Sequence, residues 1–205
     1  MKAIIPLYDL KYFDQVLKAC QRYGGNTAVI LNVDDGPGKK DDDAWTTAIR
    51  KLKTTNAELF GYVELFDWDH NRARASIDIN TDTARWVGKY GISRFFYDDF
   101  RKGMGYALVS APSSIANPGT DLQSSCGITM SFEDVGYIKS KSSQIKVQAV
   151  LSMGDSDWRS TLALAKSRRV AYFYATDLKD TNGQWNAYDR LPPYFDVLML
   201  AIATP

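Results

Sequence analysis

Short apolar, β-rich runs alternate with amphipathic runs along this chain, the rhythm of strand–helix units that build a parallel sheet. The first strand is expected over residues 3–8, followed by a helix over 10–23 that Gly24-Gly25 ends. A second strand over 27–33 leads to a helix over 41–56. Acids fill that helix's first turn, and Arg50, Lys51 and Lys53 stand near its end, as the helix dipole favours. Strand three is placed at 59–65, a helix closed by Gly91 at 79–90, and strand four at 94–99. The next unit is the weak one, with only 100–111 available as a helix before a brief strand over 114–117. Strand six covers 127–133 and strand seven 145–153. A helix over 158–167, strand eight over 170–177 and a closing helix over 194–203 after Pro192-Pro193 complete the pattern. Eight strands in this order predict an α/β fold, a compact (β/α)8 TIM-type barrel with a shortened unit between strands four and five. The 205 residues are expected to form one domain, 1–205.

The pattern within strand six carries a functional clue. Ile128, Met130 and Phe132 alternate with Thr129, Ser131 and Glu133, so the two sets take opposite faces. A strand buried on both faces normally reads as a continuous apolar run. The polar set is therefore read as facing the barrel interior, with Glu133 at the C-terminal mouth, where barrels of this kind carry their sites. Other strand ends are polar too: Asn32 and Asp34-Asp35, Tyr62 and Glu64, Asp98-Asp99, Asn117, and Thr176-Asp177. A single Asp after a strand can simply cap the next helix. Two adjacent acids after Phe95-Phe96-Tyr97 exceed the needs of one cap. Converging carboxylates without His or Cys suit glycoside hydrolysis, where one acid attacks or activates water and the other protonates the leaving oxygen.

Composition narrows the alternatives. With 25 basic and 24 acidic residues and a net charge of +1, neither a basic stripe nor an acidic tail stands out. Nucleic-acid and membrane-surface partners are therefore not expected. Aromatic residues, at 13% with 12 Tyr and 5 Trp, suit sugar faces as well as cores. Cys20 and Cys126 lie in no metal-ligand spacing and are expected as buried thiols. The sole histidine, His70, lies in a polar loop, which disfavours a Ser/His/Asp triad or a His-rich metal site. Gly36-Pro37-Gly38-Lys39-Lys40 lacks the spacing and the Ser or Thr of a phosphate-binding loop. Asp67-Trp68-Asp69-His70-Asn71 starts like a calcium loop, but Arg72 stands where Gly is required. No cofactor and no metal are expected. The apolar run after Met1-Lys2 is too short for a signal peptide and has no cleavage site. The protein is thus expected to be cytoplasmic, released by a non-classical route, or a trimmed form of a secreted protein.

Several motifs occur in a family's order: Ile4-Ile5-Pro6-Leu7-Tyr8, Asn32-Val33-Asp34-Asp35-Gly36-Pro37-Gly38, Gly61-Tyr62-Val63, Phe95-Phe96-Tyr97-Asp98-Asp99, Asn117-Pro118-Gly119-Thr120 and Phe132-Glu133. With Tyr174-Ala175-Thr176-Asp177, Trp185 and Leu191-Pro192-Pro193-Tyr194 they span nearly the whole chain. In this it resembles the spherulin-4-like proteins, related to endo-acting α-1,4-galactosaminidases built on a (β/α)8 barrel. The resemblance implies that Asp98 and Glu133 are the nucleophile and acid/base of a retaining hydrolase acting on galactosamine-containing polysaccharide. The family usually has Glu directly after the strand-four Asp, and here that position is Asp99. Asp99 is expected to orient a neighbour or to raise the proton affinity of Glu133. Tyr8, Asn32, Asp34, Tyr62, Asn117, Thr176 and Asp177 are the expected substrate contacts. The acids at the mouth are expected to favour an amine-bearing polymer. A catalytically silent glycan-binding barrel and a structural component of a larger assembly remain the alternatives.

Overall fold

The computed structural model describes residues 1–101, 113–119, 126–137, 147–179 and 186–204. Eight parallel strands among them close into a barrel: β1 (Lys2–Leu7), β2 (Thr27–Leu31), β3 (Glu58–Glu64), β4 (Phe95–Asp98), β5 (Ile115–Ala116), β6 (Ile128–Val135), β7 (Gln148–Met153) and β8 (Tyr172–Ala175). Neighbours in sequence are neighbours in space all the way round, and β8 closes on β1 through Lys2–Tyr172 and Ala3–Phe173. The expected barrel is therefore the observed fold. The expected helix over 100–111 falls mostly outside the described residues, as do the first two residues of the expected strand seven.

Most of the helices that coat the strands carry apolar residues three or four apart. Helix α1 (Phe13–Tyr23) buries Phe13, Val16, Ala19 and Cys20. Helix α2 (Asp43–Leu52) buries Trp45, Ala48, Ile49 and Leu52, and Asp42 caps its start by accepting from the Trp45 N–H. Helices α3 (Ser76–Arg85), α4 (Trp158–Ser167) and α5 (Phe195–Ala203) complete the described set. Both cysteines are buried, and no disulfide joins them. No helix among the described residues is long and apolar enough to cross a membrane.

Two departures from the sequence reading shape the site. After α3 the chain makes a π-helical turn, Trp86–Tyr90, which Gly91 ends in the left-handed region at φ 61°. That turn seats the Trp86 ring against Gly61 of β3, where a Cβ would lie 2.5 Å from the indole. The Trp86 Nε1 donates to the Tyr62 carbonyl at 2.8 Å, so the missing side chain at Gly61 lets Trp86 fasten β3 beside Tyr62. The second departure is a small antiparallel hairpin, Phe66–Asp67 with Arg72–Ala73, beyond the end of β3.

Strand β6 corrects the alternation argument. Phe96 pairs with Ile115 and Ile115 with Ile128, and the Phe96 ring stacks on Tyr62, its neighbour on β3, on the face opposite the Gly61–Trp86 contact. Directly paired residues share a face, so Ile128 and Met130 point inward and Thr129 outward. The register then slips between Met130 and Phe132, leaving Ser131 as a bulge residue. Past the slip Glu133 pairs with Leu151 and regains the inward face. Glu133 does face the interior, but through a bulge and not through the simple alternation read from the sequence.

Candidate functional site

The C-terminal ends of β3, β4, β5 and β6 bring four polar side chains together at the barrel mouth. Glu64 and Asp98 are register partners and share the inward face with Tyr62. Asn117 follows β5 and is almost wholly buried, at 3% exposure. Its Oδ1 accepts from the Gly119 N–H at 3.0 Å, which turns its NH2 group toward the acids. One Nδ2 hydrogen goes to Asp98 Oδ1 at 2.6 Å and the other to Glu133 Oε2. A single amide spanning two carboxylates holds their nearest oxygens within about two hydrogen-bond lengths, roughly 6 Å.

Tyrosines wall this centre. The Tyr188 hydroxyl, absent from the sequence reading, donates to Glu133 Oε1. Tyr8 is half-buried between Tyr62 and Tyr188, with ring centres 5.8 Å and 5.6 Å away. No hydrogen bond reaches the Tyr8 hydroxyl among the described residues, and it faces the negative charges of Asp98, Glu133, Glu64 and Asp35. Burial and those charges hold the Tyr8, Tyr62 and Tyr188 phenols well above the usual tyrosine range, so all three remain neutral donors. The carboxyls move the same way. Burial raises Asp98, with Asp99 adding to it, and burial raises Glu64, with Asp98 adding to it; hydrogen bonds offset only part of either rise.

Asp99 turns away from this centre. Its φ of 52° puts it in the left-handed region, which carries its side chain out of the strand. There Asp99 Oδ2 accepts from Trp68 Nε1 at 2.8 Å, and Oδ1 lies 3.5 Å from Arg101 Nη2. The Arg101 guanidinium sits 3.7 Å from the Phe66 ring centre and 4.7 Å from that of Trp68. The negative charge of Asp99 acts on Asp98 and Glu64. Trp68, Arg101 and Tyr188 were missed because each belongs to a loop whose approach to the mouth depends on the closed fold. The one local signal was an aromatic beside acids in Phe66-Asp67-Trp68-Asp69.

The remaining expected contacts are placed differently. Asn32 Oδ1 accepts from the Gly36 N–H at 3.0 Å, fastening the loop after β2. Asp34 is exposed and lines a neighbouring cavity of about 620 Å³ with Asp35, Glu64, Trp68, Asp78 and Arg85. Asp98 and Glu133 are not on its walls; Glu64 joins it to the site. Thr176 is fully buried, and its Oγ1 accepts from the Leu178 N–H at 3.2 Å, so it shapes the turn after β8 in place of the expected sugar contact. Asp177 is paired with Arg190 at 2.6 Å and adds no free negative charge to the mouth. Asp67, first residue of the weak calcium-loop pattern, instead accepts from His70 and lies 3.4 Å from Arg72 Nε. Among the described residues no group of three or more His, Cys, Asp or Glu is arranged to hold a metal ion.

Comparison with known proteins agrees with this architecture. The family model described as spherulation-specific family 4 matches residues 2–117, a segment that includes Asp98 and Asn117 and stops before Glu133. No curated protein matches the chain. Among solved structures, the crystal structure of Aspergillus clavatus Sph3 in complex with GalNAc superposes with a TM-score of 0.75 at 17% sequence identity. That alignment covers 99% of this chain and 97% of that one. At this identity the likeness is one of fold.

Proposed function

The chain belongs to the spherulation-specific family 4, and from that premise we propose that it hydrolyses glycosidic bonds in an amino-sugar polysaccharide, with Asp98 and Glu133 as its two working carboxyls. The observation that carries this reading is the Asn117 amide, which gives one hydrogen to each acid. The resulting spacing suits a retaining pair, whose carboxyls lie about 5–5.5 Å apart, better than an inverting pair at about 6.5–9.5 Å.

The chemistry then follows from the partners of each group. An Asp98 oxygen attacks the anomeric carbon while the glycosidic C–O bond breaks, and Glu133 gives its proton to the departing oxygen. Glu133 next takes a proton from water, the water oxygen bonds to the anomeric carbon, and the Asp98 ester bond breaks. Tyr188 serves Glu133 in both states, since a phenol donates to a carboxylate and accepts from a carboxylic acid. Asn117 stays on Asp98 throughout and limits the directions it can swing. Tyr8 offers an unengaged hydroxyl to a sugar oxygen. Asp34 and Asp35 have no ion-pair partner among the described residues, which favours a polymer bearing free amines. The GalNAc bound to the structurally similar Sph3 supports a galactosamine-type sugar.

Reducing-end release from partially deacetylated galactosaminoglycan, fully acetylated galactosaminoglycan and a uronic-acid polymer tests the proposal. Release is expected from the amine-bearing polymer first, with the preference fading as salt rises. Binding without release from any polymer would select the silent glycan-binding barrel instead.

A further inference from the structure

Glu64 was noted in the sequence only as one polar strand end, and the hydrolytic reading above gives it no task. Its surroundings assign it one. The Tyr62 hydroxyl oxygen lies 2.8 Å from Glu64 Oε2 and 2.8 Å from Asp98 Oδ2. A phenol carries one hydrogen, so it can donate to only one of these oxygens. The other contact is a hydrogen bond only if that carboxyl is protonated and donates to the phenol oxygen. The remaining oxygens already accept from fixed donors. Glu64 Oε1 takes the Leu65 and Phe66 N–H groups at 3.1 Å and 3.2 Å. Asp98 Oδ1 takes the Asp99 N–H at 2.9 Å and Asn117 Nδ2 at 2.6 Å. The extra proton therefore belongs on Glu64 Oε2 or Asp98 Oδ2.

No cation among the described residues relieves the pair. Among the described residues no Lys or Arg side chain bonds to either carboxyl. Arg74 donates to the Glu64 backbone carbonyl at 2.8 Å and to Asp82 at 2.7 Å, and Arg101 is turned to Asp99. Among the described residues the other titratable groups facing the pair are Tyr8 and Asp99, with Glu133 joined to Asp98 through Asn117, and they offer either neutral hydroxyls or more negative charge. Two ionised carboxylates on one phenol would leave one of them facing a lone pair. The shorter donors lie on Asp98, which favours the anion there and the proton on Glu64.

We propose that Glu64 is a positioning residue that shares one proton with Asp98 through the Tyr62 hydroxyl, holding that proton itself so that Asp98 stands as the anion. The proton chain Glu64 Oε2–H to Tyr62 Oη, and Tyr62 Oη–H to Asp98 Oδ2, aligns the nucleophile with no net transfer of charge. Burial raises both carboxyls above their ordinary range, in agreement with a proton held between them.

The role in turnover rests on reading Asp98 as the nucleophile, whereas the shared proton does not, and two measurements separate them. In protein carrying ¹³C-labelled carboxyls, the Glu64 and Asp98 signals of the wild type should move together in one step above the ordinary carboxylate range. In Glu64→Gln, whose amide can still donate to Tyr62, Asp98 should lose that step and titrate only at lower pH. Independent titration of both groups in the ordinary range, or an unchanged Asp98 curve in Glu64→Gln, would overturn the proposal whatever the activity. For turnover, Glu64→Gln should exceed Glu64→Ala by roughly tenfold in kcat, because Ala leaves Tyr62 unaligned. Equal kcat in the two variants, with the shared titration intact, would leave hydrolysis standing and remove Glu64 from it.

Discussion

Strand β3 carries a glutamate at each end of the same inward face, and the two sit in opposite electrostatic settings. At the base of the barrel Glu58 meets Lys2 at 2.7 Å, Arg94 at 3.3 Å and the Tyr172 hydroxyl at 2.8 Å. Those partners outweigh its burial and hold its carboxyl below the usual range. At the mouth Glu64 meets, among the described residues, hydroxyl and amide donors and the negative charges of Asp98 and Asp99, and its carboxyl is raised. Six positions along one strand thus separate an acid that secures the fold from an acid kept protonatable at a cost to the fold. The difference follows the general division of this architecture, with the N-terminal face serving stability and the C-terminal face serving chemistry.

The comparison breaks first on activity. Asp98→Asn and Glu133→Gln should each lower turnover by about 10³-fold or more. Thermal melting should show both variants folded, since removing buried negative charge relieves the mouth. Glu58→Gln should leave turnover near that of the wild type. Similar losses from all three would erase the distinction between the two ends.

Stability against pH sharpens it. Glu58 is depressed in the fold, so its stabilisation is present above the unfolded carboxylate pKa and is lost as pH falls through the lower folded value. Glu58→Gln should therefore melt earlier at neutral pH, by about 1 kcal/mol given its part-exposed partners, with the deficit fading in acid. Glu64 is raised, so its contribution is full below the unfolded pKa and is lost as pH rises through the higher folded value. Glu64→Gln should match the wild type in acid and melt later above neutrality, by roughly a few degrees. Scanning calorimetry across about pH 4 to 9 reads both curves, and parallel curves for the two variants would contradict the assignment.

What was legible in the sequence divides along similar lines. The barrel was readable because strand and helix periods are local: Trp158–Ser167 forms the helix its spacing predicts, and the eight strands fall close to their expected positions. Asp98 was placed correctly on the face of Phe96 because β4 has no irregularity. Strand β6 was misread because a bulge shifts its phase by one residue, and nothing in Met130-Ser131-Phe132 announces it. Asp177 read as a substrate contact because its partner Arg190 lies in a loop beyond β8. Tyr188 was invisible for the same reason. It enters the site from beyond β8, and only ring closure brings it to Glu133.

In the proposed mechanism one amide holds Asp98 and Glu133 at the spacing of a nucleophile and an acid/base. Proton NMR of freshly released reducing ends, recorded before mutarotation, tests it most directly. A retaining pair predicts that the first product appears with the anomeric configuration of the bond that was cut. Product appearing first with the inverted configuration would contradict the claim, because water would then have attacked in place of Asp98.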